Sequence, residues 1–321
     1  FEEALVGGKN VMDIYPGSAM YRANYALFAM YASDFETGDT EARGALEISP
    51  DYYNAWLPIA IKAIVDGDFE AARSAYESMA LSSAQGAPLA EIGLGDLAIF
   101  TGDFEAGREH LRRAVELATA DDNQYVAATA HMAIAFAYEA EGNLEAAQEA
   151  SASALQAASG EPWIVQAALL HIAAGNIEAA AEIAADLTNQ LQPQTRAYGM
   201  LIEGLIAHSN GRIVDAIEKL SAGLELADFW LIRFYLGRIY LDAGYHAEAV
   251  DEFTQCMDRR GEASALFLDD ISTFRYVAPV YYWLGVAQQE LFMSAAATTS
   301  FETFLQLRPN GGVLVDDARE R

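Results

Sequence analysis

Hydrophobic residues recur through this chain at every third or fourth position, and short polar turns break the pattern into segments of helical length. The stretch from Trp230 to Pro309 shows it most clearly. There Leu236-Gly237 is followed by Tyr240, Gly244, Ala249 and Phe253, and Leu284-Gly285 by Ala297, Phe301 and Pro309. Elsewhere the unit is looser, and its ruler is a turn of the form Gly-(Asp/Asn)-x-Glu-Ala. The turn occurs at Gly67-Asp68, Gly102-Asp103, Gly142-Asn143 and Gly175-Asn176, with weaker forms at Gly211-Arg212 and Gly244-Tyr245. The intervals between these glycines are 35, 40, 33, 36 and 33 residues. Such a period predicts an all-α, right-handed superhelical solenoid of about eight helix-turn-helix pairs.

Each turn has the same physical logic. Glycine supplies the left-handed residue that ends one helix. Asp or Asn beside it caps the next helix and favours its positive end, and Glu-Ala then opens that helix with strong helix formers. Small residues (Ala60, Gly95, Ala135, Ala168, Gly204, Gly237, Gly285) allow close approach, while Tyr76, Leu111, Leu220, Phe253 and Phe301 fill the space between helices.

The expected map runs as follows. Residues 1–18 form a remnant helix and entry loop, and 19–260 hold units one to seven, at about 19–50, 53–84, 88–121, 125–160, 161–193, 195–228 and 230–260. Residues 261–276 form an ordered insertion, and 277–321 hold the last unit and a tail. Leu266, Phe267, Leu268, Phe274 and Tyr276 are too apolar for a free linker, so the insertion is expected to dock onto the solenoid. The opening Phe1-Glu2-Glu3-Ala4-Leu5 reads as the second half of a helix, so a fragment of a longer polypeptide is expected.

Composition narrows the partners. The 321 residues are 53% hydrophobic, which rules out a disordered acidic tail. The formal charge of −28 argues against nucleic acid or anionic lipid, both of which need a positive footprint. No uncharged apolar run is long enough to span a bilayer, so no direct membrane insertion of this segment is expected. The lone Cys256 excludes an internal disulfide or a multi-cysteine metal site.

These units resemble the tetratricopeptide repeat, in which a Leu-Gly pair, an Ala four residues before an aromatic and a closing Pro recur at fixed offsets. Nearly the whole chain is similar to the C-terminal tetratricopeptide region of bacterial eukaryotic-like serine/threonine protein kinases and related signalling proteins. The residues that carry this are Tyr21-Arg22-Ala23-Asn24 with Asp34-Phe35-Glu36, Tyr198–Gly204, and Ile232–Leu241. The likeness continues through Arg259-Arg260-Gly261-Glu262-Ala263, Leu266–Asp270 and Pro279–Tyr282. It implies a non-catalytic interaction or sensory module beyond a kinase or other signalling domain. Cytoplasmic and membrane-tethered extracytoplasmic settings both stay open, and no kinase portion is present from which an activity could be carried over.

Catalytic chemistry is not legible. Gly93-Leu94-Gly95 lacks the third glycine of a dinucleotide fingerprint and any preceding strand pattern, and reads as close helix packing. The sequence has no phosphate-binding loop, nucleophile elbow, kinase catalytic set or zinc-binding His-Glu-x-x-His. His110, His131, His171, His208 and His246 fall in five different units, and the acidic pairs Asp121-Asp122, Asp269-Asp270 and Asp316-Asp317 read as solvated loops. The expectation is no enzyme, no cofactor and no metal.

The informative surface is the inner face of the first helix of each pair. It is read as Met20, Leu27 and Met30, then Phe136 and Glu139, then Tyr198, Leu201, Leu205 and His208. Phe234, Arg238, Leu241 and Asp242 follow, then Tyr282, Val286 and Gln289. Packing within the solenoid is the competing role for most of these. Arg238 between Phe234 and Tyr282, in an acidic chain, has the composition of a binding anchor. The expected partner-binding residues are Phe136, Tyr198, His208, Phe234, Arg238 and Tyr282, with Phe267 and Phe274 shaping one rim. A Lys-and-Asn clamp for chaperone tails is missing, as Leu57 and Ile61 illustrate. The leading expectation is a scaffold that binds an extended protein or peptide in the concave groove. The alternative is a homo-oligomerisation module that associates through apolar surface near Phe292-Met293.

Overall fold

The computed structural model describes residues 2–264 and 274–321, and among these every regular element is helical. Helix α1 (Glu2–Ile14) precedes the pairs α2 (Ala19–Tyr31) with α3 (Phe35–Ile48), and α4 (Trp56–Val65) with α5 (Phe69–Ser82). Next come α6 (Gly86–Thr101) with α7 (Phe104–Ala120), and α8 (Gln124–Ala140) with α9 (Leu144–Ala157). Then follow α10 (Glu161–Ala173) with α11 (Ile177–Thr188), and α12 (Pro193–Ser209) with α13 (Ile213–Leu226). The last pairs are α14 (Trp230–Asp242) with α15 (His246–Asp258), and α16 (Val277–Glu290) with α17 (Ser294–Leu307), before a short α18 (Val313–Glu320).

The repeating turn explains the pairing. Gly67, Gly102, Gly142, Gly175, Gly211 and Gly244 all take positive φ, between +73° and +92°, where a side chain would be strained. Asp68, Asp103 and Asn143 then accept a backbone N–H three residues on, at 2.9, 3.1 and 3.2 Å, each cap stabilising its helix by about 1 kcal/mol. Ser33 and Phe292 hold the same left-handed position without glycine, at φ +66° and +59°. Within a pair, a glycine on the first helix faces a bulky residue on the second. A Cβ on Gly237 would sit 2.8 Å from the Phe253 ring, and one on Gly285 would sit 2.8 Å from Phe301. The absent side chain is the socket for the ring.

First helices also pack on the first helices of neighbouring units: α2 on α4, α6 on α8, α10 on α12, α12 on α14, and α14 on α16. They form the inner layer of the solenoid. Instead of leaving an open groove along its whole length, that layer closes on itself. Gly261 N–H donates to Ser33 Oγ at 3.0 Å, Arg275 Nε to Asp96 Oδ1 at 3.0 Å, and Arg308 Nη1 to the Ile99 carbonyl at 3.0 Å. Asn310 N–H reaches the Thr101 carbonyl at 3.1 Å. At Gly102 the approach is so close that a Cβ would lie 2.1 Å from the Gly311 carbonyl oxygen. One hydrophobic core therefore runs from Met30, Tyr31, Tyr76 and Phe100 to Trp230, Phe234, Phe253 and Leu284. The expectation of a free concave groove is corrected here: the C-terminal units occupy the space facing the N-terminal ones.

Candidate binding site

Where the inner layer closes, it leaves a cavity of about 350 Å³. Phe136, Glu139 and Ala140 enter it from α8, Phe234, Tyr235 and Arg238 from α14, and Tyr276, Pro279 and Trp283 from the start of α16 and the residue before it. Phe104, Phe304, Arg308 and residues 311–315 complete the wall. The lining is aromatic on most sides, with rings from first helices (Phe136, Phe234, Tyr235, Trp283), from second helices (Phe104, Phe304) and from Tyr276.

Arg238 is the distinctive group. Its guanidinium carbon lies 3.5 Å from the centroid of the Trp283 ring, a cation–π stack. Among the described residues most basic side chains pair with a carboxylate within ion-pair distance, as Arg233 does with Asp228 and Glu252, but Arg238 does not. Burial lowers its pKa, partly offset by Tyr235 and the more distant Asp242. Its Nε is sealed against protein without a hydrogen-bond partner. Arg308 is 6% exposed, spends Nη1 on the Ile99 carbonyl and also leaves Nε unpartnered. Burial pulls its pKa down to about 10. Across the same cavity, burial alone pushes the Glu139 carboxyl up to about 7. Two arginines without carboxylate partners among the described residues thus share an aromatic chamber with one acid of raised pKa.

The expected site residues divide. Phe136, Phe234 and Arg238 meet at this cavity. Tyr282 does not line it: the ring is 4% exposed, packs on Phe301 and Phe304, and donates its hydroxyl to Asp317 Oδ2 at 2.5 Å. Helix α16 instead turns Trp283 inward, one residue and about 100° away from the anticipated face. Tyr198 is 3% exposed and stacks on Phe229 at 4.5 Å, and His208 Nε2 lies 3.1 Å from Asp242 Oδ2. Neither belongs to the cavity. Phe267 lies outside the described residues, as does the side chain of Phe274. Trp283, Tyr276, Phe304 and Arg308 are the additions. The sequence carried no signal for Arg308, because it reaches the chamber only through closure of the superhelix.

Among the described residues no group of three or more His, Cys, Asp or Glu side chains is placed to hold a metal ion, and no helix is long and apolar enough to cross a membrane. Cys256 is buried, and its thiol is pushed far up by burial.

Residues 92–121, within α6 and α7, match the tetratricopeptide repeat family model. No curated protein matches the chain. Among solved structures, the human IFIT1 dimer with PPP-AAAA is similar at 17% identity, over 95% of this chain and 68% of that one, with a TM-score of 0.55. An IFIT1 monomeric mutant with Gppp-AAAA gives 16%, 95%, 67% and 0.56. The Cut9–Hcn1 hetero-tetramer of the APC/C gives 15% identity and a TM-score of 0.49, and this chain spans 55% of its length. Identities this low carry the fold and nothing finer. The kinase-associated resemblance gains no support from these matches. The chain is an all-α solenoid of the tetratricopeptide type, with residues 92–121 a repeat that the family model itself matches.

Proposed function

We propose that this chain is a non-catalytic protein- or peptide-binding scaffold whose partner inserts the end of an extended segment into the mouth of the central cavity. The observation that supports this best is Arg238, a cation stacked on Trp283 that lacks a carboxylate partner among the described residues of a strongly acidic chain. Arginine and tryptophan at the centre of a desolvated pocket are the composition of binding hot spots. The partner enters at a chamber rather than lying along the whole groove, because the C-terminal units face and contact the N-terminal ones across it. The likeness to kinase-associated repeats, which rests on sequence alone, supports placing the scaffold in a bacterial signalling protein. The IFIT1 structures are with PPP-AAAA and Gppp-AAAA, but a net charge of −28 opposes a polyphosphate ligand here, so no nucleic-acid partner is proposed.

The test is selection of peptides from a displayed random library on the intact chain, followed by Arg238→Ala. Selected peptides should bind at least tenfold more weakly to the variant while its circular dichroism is unchanged. Peptides that ignore the substitution would remove the cavity reading. A 5′-triphosphate oligonucleotide that binds at physiological salt would overturn the exclusion of nucleic acid.

A second reading, self-association, is supported by one turn. Leu291, Phe292 and Met293 are 37%, 92% and 45% exposed, a contiguous apolar tip. Light scattering that shows a monomer at every concentration would count against it.

A further inference from the structure

We propose that the central cavity is a site for a single carboxylate carried on a small aromatic body, a ligand the size of one amino-acid residue. This deepens the partner-binding reading above and rests on the same chamber. Size comes first. At about 350 Å³ the cavity stands at the low end of ligand pockets, roughly 300–1,000 Å³, so it holds a side chain or a small acid and no folded element.

Charge comes second. Arg238 hydrogen-bonds to no described residue, and its Nε is sealed against protein, so the Nη end is the part that the cavity can reach. Arg308 has one Nη on the Ile99 carbonyl, and its other Nη hydrogen-bonds to no described residue. Guanidinium groups only donate hydrogen bonds, so an acceptor anion is the complement of both. Glu139 limits how much negative charge fits. With its carboxyl protonated the chamber carries two positive charges and with it ionised one, so a single carboxylate never leaves excess negative charge, whereas a phosphate dianion does once Glu139 ionises.

Shape comes third. Phe104, Phe136, Phe234, Tyr276 and Phe304 offer ring faces and edges around the arginines, and Trp283 already stacks on one of them. An aromatic body gains most from such walls. The carboxylate has two sources, the C-terminal residue of a polypeptide or a free aromatic acid, and they share this chemistry.

The experiment titrates the intact chain with N-acetyl-phenylalanine, with its C-terminal amide, and with a short peptide ending in a free phenylalanine. Calorimetry and Trp283 emission are read, with Trp283→Phe as the optical control. The acid should bind at least tenfold more tightly than the amide, and Arg238→Gln and Arg308→Gln should each erase that preference. Equal binding of acid and amide, or no binding of either, would overturn the proposal without reference to any variant's folding. The peptide binding more tightly than the free acid assigns the carboxylate to a polypeptide end, and the reverse assigns it to a free metabolite. If the selected partner peptides depend on Arg238 while none of these acids binds, the scaffold reading stands and this inference falls. If the acid binds and no peptide does, the inference stands and the scaffold reading falls.

Discussion

Arg275 donates through Nε to Asp96 Oδ1 at 3.0 Å, joining residues that are each 1% exposed and 179 positions apart in the chain. Desolvation pushes the Asp96 carboxyl up and Arg275 pulls it back, while Asp96 Oδ2 finds no partner among the described residues. The pair therefore contributes little net stability by itself, but neither charge tolerates being left alone. It sits at the seam where α6 meets the residues just before α16, and so it reports on closure of the superhelix.

Asp96→Ala should cost about 3–5 kcal/mol, because it strands a buried guanidinium. The double variant Asp96→Leu with Arg275→Met should recover most of that loss. Denaturant midpoints of the three proteins measure it. A single variant within 1 kcal/mol of the parent would show that the seam is wetter than its geometry indicates.

Glu139 makes stability depend on pH in a defined direction. Its carboxyl rises from an ordinary value of 4.5 to about 7 through burial alone. The folded chain thus holds a proton that the unfolded chain has released between these two values. This contribution is favourable below pH 4.5, is lost progressively as pH rises toward 7, and is fully absent above. The difference is at most about 3 kcal/mol. Glu139→Gln should therefore stabilise the protein at pH 8 and leave it unchanged at pH 4.5, as thermal unfolding at the two pH values would show. An equal effect at both would mean that the carboxyl is solvated.

Gly237→Ala drives a methyl to 2.8 Å from the Phe253 ring, a ring that is itself fully buried. Overpacking of this kind costs about 1–3 kcal/mol. Phe253→Leu alone leaves a void, but combined with Gly237→Ala it should cost less than the two changes added together. A double-mutant cycle without coupling would separate the residues that the structure puts in contact.

The sequence made the repeat legible because the repeat is local. Gly244 and Tyr245 sit within a few residues of everything that their turn geometry depends on, and the same holds for Asp68 and Ala71. The pairing of Gly237 with Phe253 could likewise be read from spacing, since both lie in one helix pair. The closure could not. Arg308 meets Ile99, and Arg275 meets Asp96, through curvature that accumulates over the intervening units, and no periodicity in the sequence records its sum. The site suffered for the same reason. Phe136, Phe234 and Arg238 follow from their helix faces, whereas the spacing in α16 points to Tyr282, one residue of rotation away from Trp283.

Phe292 is the turn residue that folding does not account for. It holds φ +59° where six other turns use glycine, and it is 92% exposed, so the ring gains almost nothing from burial. A left-handed conformation costs an L-residue about 1–2 kcal/mol, less for Asn, whose side chain bonds locally. Phe292→Asn should thus stabilise the chain by about 0.5–1 kcal/mol, and Phe292→Val, branched at Cβ, should destabilise it by about the same amount. The order Asn, Phe, Val in melting temperature checks the backbone argument. Sedimentation of the Asn variant then tests why an exposed ring is kept at a strained position. If the parent associates with itself through this tip, the variant should be monomeric at concentrations where the parent is not. If both are monomers, the ring serves another partner or none, and self-association through Leu291–Met293 is eliminated.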